Sequence, residues 1–277
     1  MDNDFIAKHY DETLPYYKHL WGRGANAVHY GFWDEETKTI EEALLNENKF
    51  LTEAADIKPS DKVLDAGCGI GGSSVWIAKN VGANVIGITL STKQLEEAKK
   101  IASKYGVSDK TEFEIGDYLN TRFADNTFDI VWAIESVCYA ENKADFLKES
   151  YRILKPGGRL VLADGFLDRE AVGLEKKLLK DLLMGFALTN LANISDFKKD
   201  MDLAGFREIK HWNKSTNVKK SLRILYIRVR IAYPLLKIAH LFGLIPDTVI
   251  KYGPVGIAQY KLLNTGLMKY AVFLGKK

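Results

Sequence analysis

Two groups of residues in this sequence have the types and spacing to do chemistry. The first is Asp65-Ala66-Gly67-Cys68-Gly69-Ile70-Gly71-Gly72. Its glycines let a backbone turn tightly and approach a ligand without side-chain obstruction, so a nucleotide-like cofactor is expected against it. The second is Ala133-Ile134-Glu135-Ser136-Val137-Cys138-Tyr139, which sets one acid among apolar neighbours. If 135–139 forms a helical turn, Glu135 and Tyr139 share a face and address one acceptor atom. A carboxylate paired at a strand end and a plain core aromatic stay open as alternatives. His29 is a third catalytic candidate, against a structural histidine. No cysteine–histidine spacing suggests a metal.

The elements around these residues must place them at one edge. Lys62 onward reads as strand, glycine loop, a helix over 72–80 and a strand at 85–88, the unit of a parallel sheet. A helix at 92–105, a strand at 111–115, a buried run at 128–133, a helix at 143–154 and a strand at 159–165 follow. Lys155-Pro156-Gly157-Gly158 stops that helix and turns the chain. With strands near 206–212 and 267–274, the expected class is α/β, a Rossmann-like doubly wound, mostly parallel seven-stranded sheet. In that architecture ligands bind outside the carboxyl ends of the strands, where 133–139 begins.

One domain over 1–277 is expected: a helical preface over 1–55, a cofactor-binding core over 56–165, and a substrate cap, insertion and last strands over 166–277. The preface carries Tyr10, Trp21, His29, Tyr30 and Trp33. Helices are expected at 39–55, at 170–191 and at 195–204, the last capped by Asn193 or Ser195. The net charge of +3 without long like-charge runs gives no electrostatic footprint for nucleic acid, so the partner is read as a small molecule. Cys68 and Cys138 are read as reduced thiols of a cytoplasmic protein. The first ten residues lack an apolar core, and no stretch reaches about 18 uncharged apolar residues, so the chain is expected to be soluble or at most peripheral to a membrane.

Gly67, Gly69 and Gly72 also fit the dinucleotide pattern, which alone does not choose a cofactor. A nicotinamide enzyme needs an acid about 20 residues on, at the end of the second strand. That place holds Gly87-Ile88-Thr89-Leu90-Ser91, with no acid before Glu96. Taken in order, Val63 to Ser73, the Gly87–Ser91 run with Gln94, Gly116-Asp117, Ile134-Glu135-Ser136 and Leu154-Lys155-Pro156-Gly157-Gly158 resemble the class I S-adenosylmethionine-dependent methyltransferases. The resemblance is to the branch that holds sterol, tocopherol and prenyl-diphosphate methyltransferases and cyclopropane fatty acid synthases. It covers 5–165; beyond that only the order of elements matches.

The resemblance implies S-adenosyl-L-methionine as cofactor, with Gly67 and Gly69 toward its methionine part and Thr89, Leu90 and Gln94 on the ribose. Asp117 accepts from the adenine amine with Tyr118 beside it, while Asp65, Ile134 and Tyr10 complete the site. Asp65 as a helix cap, Gln94 as a solvated residue and Gly116-Asp117 as an ordinary turn remain open. Many relatives carry histidine where Tyr139 stands, which tilts the resemblance toward alkene methylation, with Glu135 steadying or deprotonating a carbocation.

The expected activity is methyl transfer to carbon, oxygen or nitrogen of a small lipophilic metabolite: isoprenoid or sterol-like, quinone or polyketide. Cyclopropane formation on a fatty-acyl chain and a non-catalytic cofactor-binding protein are the alternatives. The basic, apolar stretch 219–245 reads as a packed cap, a membrane-surface helix or a holder of diphosphate.

Overall fold

The computed structural model describes residues 3–20, 26–27, 29–245 and 247–277, without the side chains of residues 13, 15–20, 247–249 and 251–252. Trp21 lies outside the described residues. The core is a seven-stranded sheet in the order β3-β2-β1-β4-β5-β7-β6, as expected for a doubly wound fold. Strands β1 (Lys62–Ala66), β2 (Asn84–Thr89), β3 (Thr111–Ile115), β4 (Phe128–Ile134) and β5 (Leu154–Leu167) run parallel. β7 (Met268–Lys276) enters antiparallel between β5 and β6 (Arg207–Asn213).

Alternation builds two apolar layers from single strands. Val63, Ile130 and Trp132 face one layer, closed by α2 (Ile40–Ala54), α3 (Gly72–Asn80) and α4 (Thr92–Lys104). Leu64, Val131 and Ala133 face the other, closed by α5 (Lys143–Ile153) and α7 (Ile194–Leu203). Local signals start the helices. Thr39 and Glu42 form a reciprocal capping box on α2, and the Ser91 hydroxyl caps α4 by accepting from the Gln94 N–H at 3.1 Å.

Several sequence boundaries move. The strand expected at 159–165 runs over Leu154–Leu167, because Leu154 already pairs with Phe128 of β4 and β7 pairs with it from Arg159 to Leu167. The helix expected over 170–191 is α6 (Leu174–Gly185) alone. The apolar residues Phe186, Leu188 and Leu191 beyond it line a cavity instead of extending a helical face. Asn193 does precede α7, but its side chain makes no capping bond. The stretch 214–267 folds into two packed helices, α8 (Ser215–Leu241) and α9 (Asp247–Asn264), while α1 (Asn3–Leu20) lies against α4 and α9. No helix among the described residues is long and apolar enough to cross a membrane.

Candidate active site

A cavity of about 1320 Å³ opens above the carboxyl ends of β1, β2, β4 and β5, beneath α1, α8 and α9. The glycine turn forms its floor. The N–H groups of Gly67 and Cys68 donate to the Ile88 carbonyl at 3.1 and 2.9 Å, which locks the turn to β2. Gly69 has a φ of +53°, and a Cβ there would meet nothing within 4 Å, so bare backbone faces open space. Gly72 serves packing, since a Cβ would sit 1.9 Å from the Asn26 carbonyl oxygen.

Asp65 is set against the first turn of α3, where the Ser74 N–H as well as its hydroxyl faces the carboxyl. It accepts the Ser74 hydroxyl at 2.5 Å, and burial pushes its carboxyl up to about 6. At the end of β2 the buried Thr89 hydroxyl donates to Gln94 Oε1 at 2.7 Å, so Gln94 is not a solvated residue. The Ser91 hydroxyl reaches Asp11 and ties α1 to this corner. Leu90 lines the cavity between them. Asp117 accepts from the Leu119 N–H at 2.8 Å and from the Asn3 amide at 2.8 Å, while the Tyr118 hydroxyl donates to the Ser136 carbonyl at 2.7 Å. Tyr10 crosses the opening with its ring 5.6 Å from that of Tyr139. Ile134 completes this wall.

Glu135 departs from expectation. It is not part of a helical turn with Tyr139; the turn is a 3-10 turn over Val137–Tyr139, and Glu135 precedes it with a φ of +48°. That left-handed conformation is uncommon outside glycine and costs on the order of 1–3 kcal/mol. It sends the carboxyl away from Tyr139, to the Tyr30 N–H at 2.9 Å and the Tyr270 hydroxyl at 2.9 Å. Both side chains still border the one cavity. The Glu135 side chain is half-buried on the cavity wall, and burial followed by the charge of Glu47 pushes its carboxyl well above the ordinary carboxylate range. His29 lies on the far side of Glu47, its Nδ1 2.6 Å from Glu47 Oε2.

Sequence reasoning missed Glu47, Tyr270, Gln259 and Asp164. Glu47 did carry a signal: with Leu44, Asn48 and Leu51 it occupies the buried face of α2, an acid where helical spacing asks for an apolar residue. Asp164, at the end of β5, accepts from the Cys138 N–H at 2.9 Å, and burial pushes it up to about 6. Tyr270 and Gln259 read as ordinary members of apolar elements. Cys68 and Cys138 are unbonded to each other, and burial pushes both thiols up, away from reactive thiolates.

Residues 64–162 match a methyltransferase domain family. Over 200 residues the chain is 32% identical to the 27-O-demethylrifamycin SV methyltransferase of Amycolatopsis mediterranei, covering 72% of each protein. The chain belongs to the class I S-adenosylmethionine-dependent methyltransferases. The tocopherol O-methyltransferase of Arabidopsis thaliana is 31% identical over 233 residues, spanning 77% of this methyltransferase and 66% of that enzyme. A cyclopropane synthase of Mycobacterium tuberculosis superposes with a TM-score of 0.86 over 100% of this chain and 99% of its own, and at 16% identity that likeness speaks to the fold.

The residues present fit the family's cofactor. Exposed backbone at Gly69, hydrogen-bonding side chains at Thr89, Gln94 and Asp117, and no acid at the end of β2 suit S-adenosylmethionine and not a nicotinamide dinucleotide.

Proposed function

We propose that this methyltransferase moves the methyl group of S-adenosylmethionine to an uncharged lipophilic acceptor of isoprenoid, sterol, quinone or polyketide character. One observation carries the reading: a single cavity joins the glycine turn to an apolar roof of Leu182, Phe186, Leu225, Val229 and Leu236, with Glu135 on its wall. When bound, the cofactor supplies an electrophilic methyl on a sulfonium. The chain's own task is to align the acceptor, exclude water and handle the proton or cation left behind.

In this reading Gly67 and Gly69 admit the cofactor's methionine part, Thr89, Leu90 and Gln94 hold its ribose, and Asp117 with Tyr118 holds its base. Tyr10 and Ile134 close over it, and Asp65 braces the turn through Ser74. Tyr139 orients the acceptor against Tyr10, and Glu135 meets the charge that develops on it. Among the described residues, Glu41, Asp65, Asp117, Glu135, Glu141, Asp145 and Asp164 line the cavity with Arg228, an acid-rich field that opposes a diphosphate acceptor. Arg223 and Arg230 lie outside that lining, which leaves Arg228 as the arginine of the stretch 219–245 that faces the cavity.

The same stretch is read as a lipid-facing surface. On α8, Ile227, Leu235 and Ile238 point outward with 44–66% of their surface exposed, Ile231 sits at the cavity's rim, and Val229, Ala232 and Leu236 line the cavity. No acid occurs between Glu208 and Asp247, and Lys219, Lys220, Arg223, Arg228, Arg230 and Lys237 accompany the apolar ridge. Apolar insertion plus about 1 kcal/mol for each cation near an anionic surface suits peripheral contact, and brings a lipophilic acceptor to the roof of the cavity.

Incubation of a lipid extract with deuterated-methyl cofactor tests the function. A methylated product keeps all the deuterium of the transferred group, whereas a cyclopropane product loses one deuteron. Cofactor binding with no labelled product from any extract would favour the non-catalytic alternative.

A further inference from the structure

Glu47 on α2 and Glu135 after β4 meet at one hydroxyl. Tyr270, on β7, places its oxygen 2.7 Å from Glu47 Oε1 and 2.9 Å from Glu135 Oε1. Each contact needs a hydrogen, and a phenol brings one. The second hydrogen has to sit on a carboxyl, so the two acids hold one proton between them. Backbone donors fix both carboxyls: the Tyr30 N–H donates to the same Glu135 Oε1 at 2.9 Å, and the Gly31 N–H donates to the far oxygen of Glu47, Oε2, at 3.0 Å. Glu135 is faced by Glu47 from α2, Tyr270 from β7, Asp164 from β5, and Tyr30 from the preface, whose neighbour His29 contacts Glu47.

We propose that Glu47 and Tyr270 are positioning residues for methyl transfer, storing one proton that the tyrosine hydroxyl passes between Glu47 and Glu135. In one arrangement Glu47 is the acid: it donates to the Tyr270 oxygen, and the Tyr270 O–H donates to an anionic Glu135, which is then ready to take a proton from the acceptor. In the other, the Glu47 O–H bond has broken and its proton has joined the Tyr270 oxygen. The phenol's original proton has moved to Glu135, Glu135 is the acid, and Glu47 is the anion held by the Gly31 N–H. The exchange conserves atoms and charge and needs no solvent. Its consequence for catalysis rests on the methyl-transfer reading; the shared proton does not.

Infrared spectroscopy of the full chain without cofactor or acceptor tests it. At mildly alkaline pH, Asp65 and Asp164, both at about 6, are ionised, which leaves the shared proton to report a carboxylic-acid carbonyl band. The band is expected in the unaltered protein and lost in both Glu47→Gln and Glu135→Gln. A glutamine at position 47 can keep its carbonyl on the Gly31 N–H and turn its amide to Tyr270, so the fold tolerates it. A missing band in the unaltered protein, or one that survives in both variants, overturns the proposal.

The pH profile of kcat supplies a readout that packing alone would not move. Glu47→Gln leaves Tyr270 donating only to Glu135, so the acid limb moves down by about one pH unit, a tenfold change in protonation. Tyr270→Phe removes a donor while Glu47 still faces Glu135, so the limb moves up, with KM for the cofactor nearly unchanged. Equal midpoints in all three proteins overturn the proposal. A band that behaves as expected, with no methylation of any acceptor, would refute the proposed function and leave the shared proton standing.

Discussion

The main-chain N–H of Tyr30 donates a 2.9 Å hydrogen bond to the carboxyl of Glu135, joining the N-terminal preface to the end of β4 across 105 residues. The bond holds a left-handed residue in place and aims its acid at the cavity wall. Replacing Glu135 by glutamine keeps the shape and removes the charge. Turnover should fall at least about a hundredfold, the range for losing a positioned acid–base or electrostatic group, while cofactor affinity stays near normal. Steady-state kinetics beside a binding isotherm checks this, and full activity at neutral pH would make the carboxyl structural.

Asp117 has its carboxyl on the Leu119 N–H and the Asn3 amide, at the corner assigned to the cofactor's base. Asp117→Ala should weaken binding of S-adenosylmethionine and of its demethylated product by about 1–3 kcal/mol, the usual cost of stranding a hydrogen-bonding partner. An unchanged dissociation constant in the folded variant would take Asp117 out of the site.

Calorimetry should show micromolar or tighter binding of S-adenosylmethionine and no comparable binding of NAD. The end of β2 offers the Thr89–Gln94 pair where a nicotinamide enzyme places an acid on the ribose. Tight NAD binding would overturn the assignment of the turn.

Co-sedimentation with vesicles tests the α8 ridge. Binding is expected to anionic vesicles, to weaken with salt, and to drop at least about tenfold when Leu235 and Ile238 are both replaced by glutamate, since two inserted side chains are lost and the local charge is reversed. Equal binding to neutral and anionic vesicles, or none to either, would count against a lipid-facing role. These side chains are 66% and 54% exposed, so the fold should survive their replacement.

Asp65 gives stability a pH dependence opposite to that of an ion-paired carboxylate. Burial raises its folded pKa from 3.8 to about 6, so between those values the native state holds more proton than the unfolded chain. Folding is therefore opposed by this group as pH rises through that window, by up to about 3 kcal/mol once both states are ionised. Chemical denaturation should show Asp65→Asn gaining on the unaltered protein from pH 5 to 7. A difference that stays flat with pH would show the carboxyl to be relaxed in the folded chain.

Sequence alone determined the sheet, the glycine turn and the kind of cofactor. Strand alternation, helix caps and a φ that favours glycine are local properties, written within a few residues of where they act. The run from Thr89 to Gln94 was legible for the same reason, because a capped helix start brings its own neighbours together. Tertiary structure decided the acid network. Glu47, Glu135 and Tyr270 come from α2, the end of β4 and β7, and nothing in their local spacing relates them. Only packing of those three elements put two carboxyls on one hydroxyl. The same holds for 214–267, whose apolar period fitted several roles until the partners of α8 were known. Its inner residues roof the cavity and its outer ones stay largely exposed, a division that depends on where the helix lies and not on its pattern.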